Sequence, residues 1–248
     1  MSEEEKKTPS YGADDIRALK GLEAVRMRPG MYVGGTDSRA LHHLLNEVLD
    51  NSIDEALAGH CDLINITIHQ NNSITVRDNG RGIPIGINKE SGLSALELVM
   101  TELHAGGKFD KNNYKVSGGL NGVGVSCVNA LSNVLIAKVQ RGGVIVEQEF
   151  SKGAALYSPP KEIGKCDLKD TGTSVTFLPD DTIFDEVLFI HEKISSRIRE
   201  MSFLNRRVKM ILTDEREKDE KGEFISETFF SEHGLIDFVK FIDVAKTP

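Results

Sequence analysis

Between Leu41 and Ala58 the chain reads LHHLLNEVLDNSIDEALA, with apolar positions recurring at the intervals of a helix. Turning at about 100° per residue, Leu41, Leu44, Leu45, Val48, Leu49 and Ala56 gather on one side, a face able to dock on a core. Taking Glu47 as zero, His43, Asn51 and Asp54 fall within about 40° of it on the side away from the leucines. Asp50 and Glu55 flank that line, and no Lys or Arg occurs between Arg39 and Arg77. An acidic stripe without basic neighbours is either a solvated face or a place where a cation arrives from elsewhere.

Around this helix the pattern predicts further elements. IRALKGLEAVRM, capped at Asp14 or Asp15, reads as a short helix ended by Arg28-Pro29-Gly30. LINITIH and SITVRD read as strands joined in a hairpin at Gln70-Asn71-Asn72. In the second strand Ile74, Val76 and Asp78 share a face, so a carboxylate lies in register with core residues. It needs donors, either to cap the next turn or to take part in a site, because burial without them costs several kcal/mol. NGRGIP follows, with glycines that permit close backbone approach and an apolar wall at Ile83 and Pro84. SALELVMTELHA has helical spacing. From Gly106 to Gly124, GGKFDKNNYKVSGGLNGVG holds six glycines and three lysines in nineteen residues. VSCVNALS then begins a helix, so free backbone N–H groups and a helix start converge on a site suited to phosphate.

In the second half, VLIAKVQ and VIVEQEF read as strands around a turn at Arg141-Gly142-Gly143, and residues 151–170 as a variable loop. In the strand SVTFLP, Thr173 alternates with Val175 and Phe177, placing a hydroxyl on the same apolar side as Asp78. Two such exceptions suggest a pocket floor. IFDEVLFIHEKISSRIREMSFL predicts one long helix, RRVKMILTD and FISETFF a hairpin, and LIDFVKFIDVA a closing amphipathic helix. The expected fold class is α+β, one domain with helices on one face of a mostly antiparallel or mixed sheet.

Composition narrows the functional classes. With 248 residues, 39% hydrophobic and 27% charged, the chain can bury one large core or two modest ones. A net charge of −8 argues against gripping nucleic acid through its own surface, which needs clustered Lys and Arg. The sequence lacks a run of apolar residues long enough to span a membrane, and the polar opening MSEEEKKTPS does not resemble a secretory signal, so a cytoplasmic, non-membrane protein is expected. Cys61, Cys127 and Cys166 are scattered, without disulfide or zinc spacing, and are expected to be reduced packing residues.

The two best-known nucleotide fingerprints are absent: there is no GxxxxGK[ST], and Gly119, Gly122 and Gly124 space as GxxGxG. A triphosphate near the acidic helix therefore calls for Mg²⁺, with Asn51 giving one uncharged oxygen. Glu47, one turn earlier, has no required place in the metal shell and can instead accept a proton from an attacking water. Asp78 is placed to accept from an exocyclic amine, favouring adenine over guanine.

NEVLDNSIDEALAG, VRDNGRGIP, HAGGKFDKNNYKVSGGLNGVGVSCVNALS and TGTSVTF, in that order, resemble the ATPase region of bacterial type II DNA topoisomerases, from about Tyr11 to Pro248. That family comprises the gyrase and topoisomerase IV B subunits. DNGRGIP alone would indicate only the wider GHKL superfamily of histidine kinases, heat-shock chaperones and mismatch-repair ATPases. The resemblance implies a Bergerat fold, a layered α/β sandwich with ATP between the sheet and a glycine lid. It makes residues 1–12 an N-terminal tail or arm and residues 13–248 the ATPase domain.

Carried over by position, it makes Glu47 the catalytic base, Asn51 the Mg²⁺ ligand, and Asp78 the reader of adenine with Thr173 assisting. Gly82, Ile83 and Pro84 become the wall beside the base, with Arg81 paired to Glu55 beneath it. Lys108, Tyr114, Gly118, Gly119, Leu120, Asn121, Gly122, Val123 and Gly124 become the lid over the phosphates, and Tyr11 the arm residue reaching the partner's nucleotide. Asp78, Arg81, Arg141 and Thr173 become inhibitor contacts, Arg141 at the mouth where aminocoumarins bind. The family's lid carries histidine where Asn121 stands, and an amide cannot supply a positive charge.

The implied activity is ATP hydrolysis coupled to dimer closure through the arm, driving DNA strand passage with a DNA-cleaving A subunit. DNA would be held only by parts outside these residues. Family members continue into a transducer domain with a further catalytic lysine, so this chain alone is expected to bind ATP with Mg²⁺ but turn it over slowly. A chaperone or repair ATPase, or a nucleotide sensor without hydrolysis, is the alternative.

Overall fold

The computed structural model describes residues 19–106 and 124–244. Helix α3 (Ser38–Leu57) is the longest element, and its start is set locally: the Asp37 side chain accepts the Ala40 N–H at 3.0 Å. Its apolar stripe is buried as the spacing predicts, with Leu41, Leu44, Leu45, Val48 and Leu49 at the heart of the core. Two short helices precede it, α1 (Gly21–Met27) and α2 (Gly30–Val33). Within the described residues α1 starts only at Gly21, with Lys20 at the cap position and no side-chain cap bond; the expected caps Asp14 and Asp15 lie outside them. As expected, α1 ends just before Arg28-Pro29-Gly30.

The strands are β1 (Leu63–Ile68), β2 (Ile74–Asp78), β3 (Ser132–Arg141), β4 (Val144–Ser151), β5 (Ala154–Ala155), β6 (Lys161–Lys165), β7 (Gly172–Pro179), β8 (Lys209–Lys218) and β9 (Phe224–Phe229). Helices α4 (Ala95–Thr101), α5 (Gly124–Ala130), α6 (His191–Leu204) and α7 (Leu235–Val244) complete the described chain. The strands form one sheet in the order β5-β4-β3-β7-β2-β1-β8-β9, with β6 on β4. Among the described pairings all are antiparallel except β1 with β8, so the sheet is mixed.

Register explains where the core sits. Ile64 faces Asp78, Ile66 faces Val76, Val76 faces Val175, and Val175 faces Ala137, so the inward residues of four strands form one apolar surface. Helices α3, α5 and α6 pack against the sheet. On the other face Arg77 and Lys138 are exposed, and Thr75 and Thr176 join hydroxyls at 2.7 Å. The expected α+β layering with helices on one face is what forms.

Two expectations fail. Residues 151–170 are not a mere loop, since β5 and β6 add to the sheet through β4. The long helix expected from Ile183 begins only at His191. Ahead of it the Asp185 N–H donates to the Thr36 carbonyl at 3.1 Å, and the Ile190 N–H to Nε2 of His42 at 2.9 Å. Phe184 and Phe189 are buried, the latter edge-on to His42. Of these two N–H groups, that of Ile190 is one a helix from Ile183 would have used, and it is bound to α3 instead.

That contact fixes the His42 tautomer: Nε2 accepts, so Nδ1 carries the proton and donates to the Ser38 carbonyl at 2.6 Å. Burial holds its pKa below the ordinary 6.5. Its contribution to stability is therefore complete above that unfolded value and is lost as pH falls from there through the lower folded value. Melting temperature is expected to drop between about pH 7.5 and about pH 5.5, and less steeply in His42→Asn. Parallel curves for the two proteins would remove His42 from this role.

Candidate functional site

The site begins where β2 ends. Asp78 is 8% exposed, on the core face as the alternation predicts. Its Oδ1 accepts the N–H groups of Gly80 at 2.9 Å and Thr173 at 3.2 Å, and Oδ2 accepts the Ser52 hydroxyl at 2.9 Å. Burial pushes its pKa above the ordinary 3.8, those three donors oppose the rise, and the charge of Glu55 adds to it. A carboxylate offers about four acceptor positions, so one is left for an incoming donor.

The turn after Asp78 is held from three sides. Glu55 on α3 receives Arg81 bidentately, Nε at 3.0 Å and one terminal nitrogen at 2.8 Å, and also accepts the Arg81 N–H at 3.0 Å. Gly82 has φ +74°, and a Cβ there would lie 2.8 Å from the Gln140 carbonyl, so only glycine fits this close approach. The Arg141 guanidinium donates to the carbonyls of Arg81 and Gly82. The Ile83 N–H donates to the Thr173 hydroxyl at 3.3 Å, bringing the start of the Ile83-Pro84 wall to the β7 end of the floor.

The other end of the site lies along α3. Glu47 is 26% exposed in its side chain, and its Oε1 is 3.3 Å from Nε2 of His43. Gly124, which opens α5, rests on it so closely that a Cβ at Gly124 would collide with the carboxylate. Asn51 is half-buried one turn further on. Asp54 is fully buried, so the acidic stripe is no solvated face. Burial, and then the charge of Glu47, push the Cys127 thiol up to about 12; burial and Asp78 push Cys61 to about 11. Both are packing thiols beside the site rather than nucleophiles.

Asp78, Thr173, Glu55, Arg81, Gly82, Ile83 and Arg141 thus form one connected network, with Pro84 next in the wall, while Glu47 and Gly124 meet where α3 and α5 pack and Asn51 lies one turn along α3 from Glu47. The expected residues Tyr11, Lys108, Tyr114, Gly118, Gly119, Leu120, Asn121, Gly122 and Val123 lie outside the described residues. The resemblance puts Arg141 at a pocket mouth; what the structure gives it is a clamp on the turn's carbonyls. The sequence pattern assigns no role to Ser52 or to the His43–Glu47 contact. Ser52 falls within about 20° of Leu45, mid-stripe, and a buried serine on an apolar face is the signal that could have found it.

Such an arrangement suits a flat heterocycle that brings a donor of its own. The floor offers an acceptor beside an apolar wall. Among the described residues no group of three or more His, Cys, Asp or Glu could hold a metal ion.

The fold and the site define a class. The profile of histidine kinase-, DNA gyrase B- and HSP90-like ATPases matches residues 36–183, and the chain belongs to that family of ATPases. Within it, the chain is 49% identical over 238 residues to the DNA gyrase B protein of Haloferax volcanii, covering 96% of this chain and 36% of that protein. Against the gyrase B proteins of Thermotoga maritima and Rickettsia typhi, identity is 49% over 236 residues and 50% over 246, covering 95% and 98% of this chain and 36% and 30% of theirs. The chain therefore spans about a third of the length of the curated relatives it matches. The solved 43K ATPase domain of Thermus thermophilus gyrase B, in complex with an aminocoumarin, superposes with a TM-score of 0.79 at 38% identity. That match covers 90% of this chain and 55% of the other.

Proposed function

We propose that this chain is the ATP-binding and ATP-hydrolysing domain of a type II DNA topoisomerase, the part carried by the B protein of gyrases. The observation that carries the reading is the single helix α3: it holds Glu47 and Asn51 one turn apart, and its next turns fix Asp78 through Ser52 and Arg81 through Glu55. One rigid element thereby sets the spacing between base recognition and phosphate chemistry.

Asp78 accepts a hydrogen bond from the adenine amine, Thr173 assists, and Gly82, Ile83 and Pro84 flank the ring. Glu47, oriented by His43, takes a proton from the attacking water. The water oxygen bonds to the γ-phosphorus, the bond to the bridging oxygen breaks, and ADP leaves with phosphate. Asn51 would hold Mg²⁺ through an uncharged side-chain oxygen, where the ion would supply charge neutralisation for the triphosphate.

Residues 1–12 form an arm, with Tyr11 reaching a partner's nucleotide, and residues 13–248 form the ATPase domain. Lys108, Tyr114 and the run Gly118 to Gly124 close over the phosphates. ATP-driven dimer closure powers DNA strand passage in the cytoplasm, with a second type of subunit that cleaves DNA held by other parts. Asp78, Arg81, Arg141 and Thr173 are the contacts for inhibitors such as the aminocoumarin in the Thermus thermophilus complex. Gyrase is favoured over topoisomerase IV because relatives at about half identity are gyrase B proteins.

Calorimetric titration with a non-hydrolysable ATP analogue tests this directly. Saturable binding that strengthens with Mg²⁺ is expected; no binding, or equal affinity for the guanine analogue, would overturn it.

A further inference from the structure

Asp78 is a buried carboxylate held by neutral donors: two backbone amides, from Gly80 and Thr173, and the Ser52 hydroxyl. Only the last belongs to a side chain, so it is the one that sequence can add or remove. Around it stand Ser52 and Glu55 from α3, and Cys61 ahead of β1, whose thiol feels the Asp78 charge. On the turn beyond β2, the Arg81 guanidinium is forked onto Glu55. Of these neighbours Glu55 disfavours a second negative charge, and burial disfavours any charge at all. The hydroxyl acts the other way, because an O–H donated to a carboxylate favours the ionised form.

Ser52 sits where packing alone would favour an apolar residue. It is 2% exposed, between Val48 and Leu49 on one side and Ile53 on the other, all in the core. A hydroxyl there must be hydrogen-bonded, and its partner is Oδ2 of Asp78. That bond also fixes the carboxylate plane, since Oδ1 is already tied to Gly80 and Thr173.

We propose that Ser52 is a positioning residue for adenine recognition: donating to Oδ2, it keeps Asp78 ionised and turned so that its remaining lone pair meets the exocyclic amine. This rests on Asp78 being the acceptor for adenine. Without the hydroxyl, Asp78 takes up a proton at a higher pH and loses its acceptor character there, so nucleotide affinity fails earlier on acidification.

The test uses the γ-carboxyl ¹³C signal of Asp78 in the unliganded chain, titrated in the wild type and in Ser52→Ala, together with calorimetric ADP affinity over the same range. The titration midpoint in Ser52→Ala is expected to lie higher, since the hydroxyl that favours the ionised form is gone. ADP affinity should match the wild type within about threefold at the alkaline end of the titration, where Asp78 is ionised in both proteins, and fall as much as about tenfold below it on the acid side of the midpoint. Ser52→Cys, with a weaker donor, should titrate in between, and serves if the alanine variant folds poorly. Coincident midpoints would overturn the role of Ser52 and leave the adenine assignment standing. A raised midpoint with parallel affinity profiles would overturn the adenine assignment of Asp78, and the positioning role with it. A purely packing role for Ser52 would weaken ADP equally at every pH, which also counts against the proposal.

Discussion

Replacing Glu47 by glutamine is expected to lower ATP turnover of the full-length protein by about 10²- to 10⁴-fold, the span a positioned general base contributes. Nucleotide affinity should stay within about threefold. Glutamine preserves the shape that meets Gly124 and the contact partner of His43, so the surroundings of the side chain need not move. What it cannot do is accept the proton of the attacking water. Removing a negative charge near the triphosphate also relieves repulsion, so binding has no reason to weaken. A steady-state assay of phosphate release, run beside calorimetry with a non-hydrolysable analogue, separates the two quantities. Turnover within tenfold of wild type would assign the base elsewhere.

The features most legible in the sequence are those with a strict period. Helix α3 is legible because six apolar residues fit one stripe, and the register of Asp78 and Thr173 because a strand alternates with period two. The Glu55–Arg81 pair rests on resemblance, and the structure forms it. Elsewhere period misleads. Ile183 and Val187 fit the helical spacing of α6, yet the segment before His191 is not helical, and its Asp185 and Ile190 N–H groups bind Thr36 and His42, partners about 150 residues away in sequence. Strands β5 and β6 leave no signature, being short, at the sheet margin and mostly exposed, with nothing to alternate. Ser52 is hidden for the opposite reason: a small residue in an apolar stripe does not break the pattern, and its meaning depends on which strand lies opposite. Arg141 ends a strand whose spacing says nothing of the carbonyls it clamps.

Asp78→Asn is expected to weaken ATP binding by about 1–3 kcal/mol, or roughly 5- to 150-fold, the cost of disturbing a buried charged hydrogen bond. The change is chemically narrow. The asparagine oxygen can keep both backbone donors, Gly80 and Thr173, and its NH₂ can donate to Ser52, whose hydroxyl then accepts. The fold therefore tolerates it, but the atom facing the purine has become a donor opposed to the donor amine of adenine. Guanine, with a carbonyl in that place, loses its mismatch, so preference for ATP over GTP should narrow along with affinity. Stability should move the other way. Burial raises the Asp78 pKa above its unfolded value, so near neutrality the ionised side chain weakens the fold, and acidification through the folded value relieves that cost. The neutral amide removes the cost at every pH, and the melting temperature near pH 7.5 should hold or rise while binding falls. Unchanged affinity for ATP would take Asp78 out of the site. A fall in melting temperature parallel to the loss of binding would mean that the residue serves packing and not recognition.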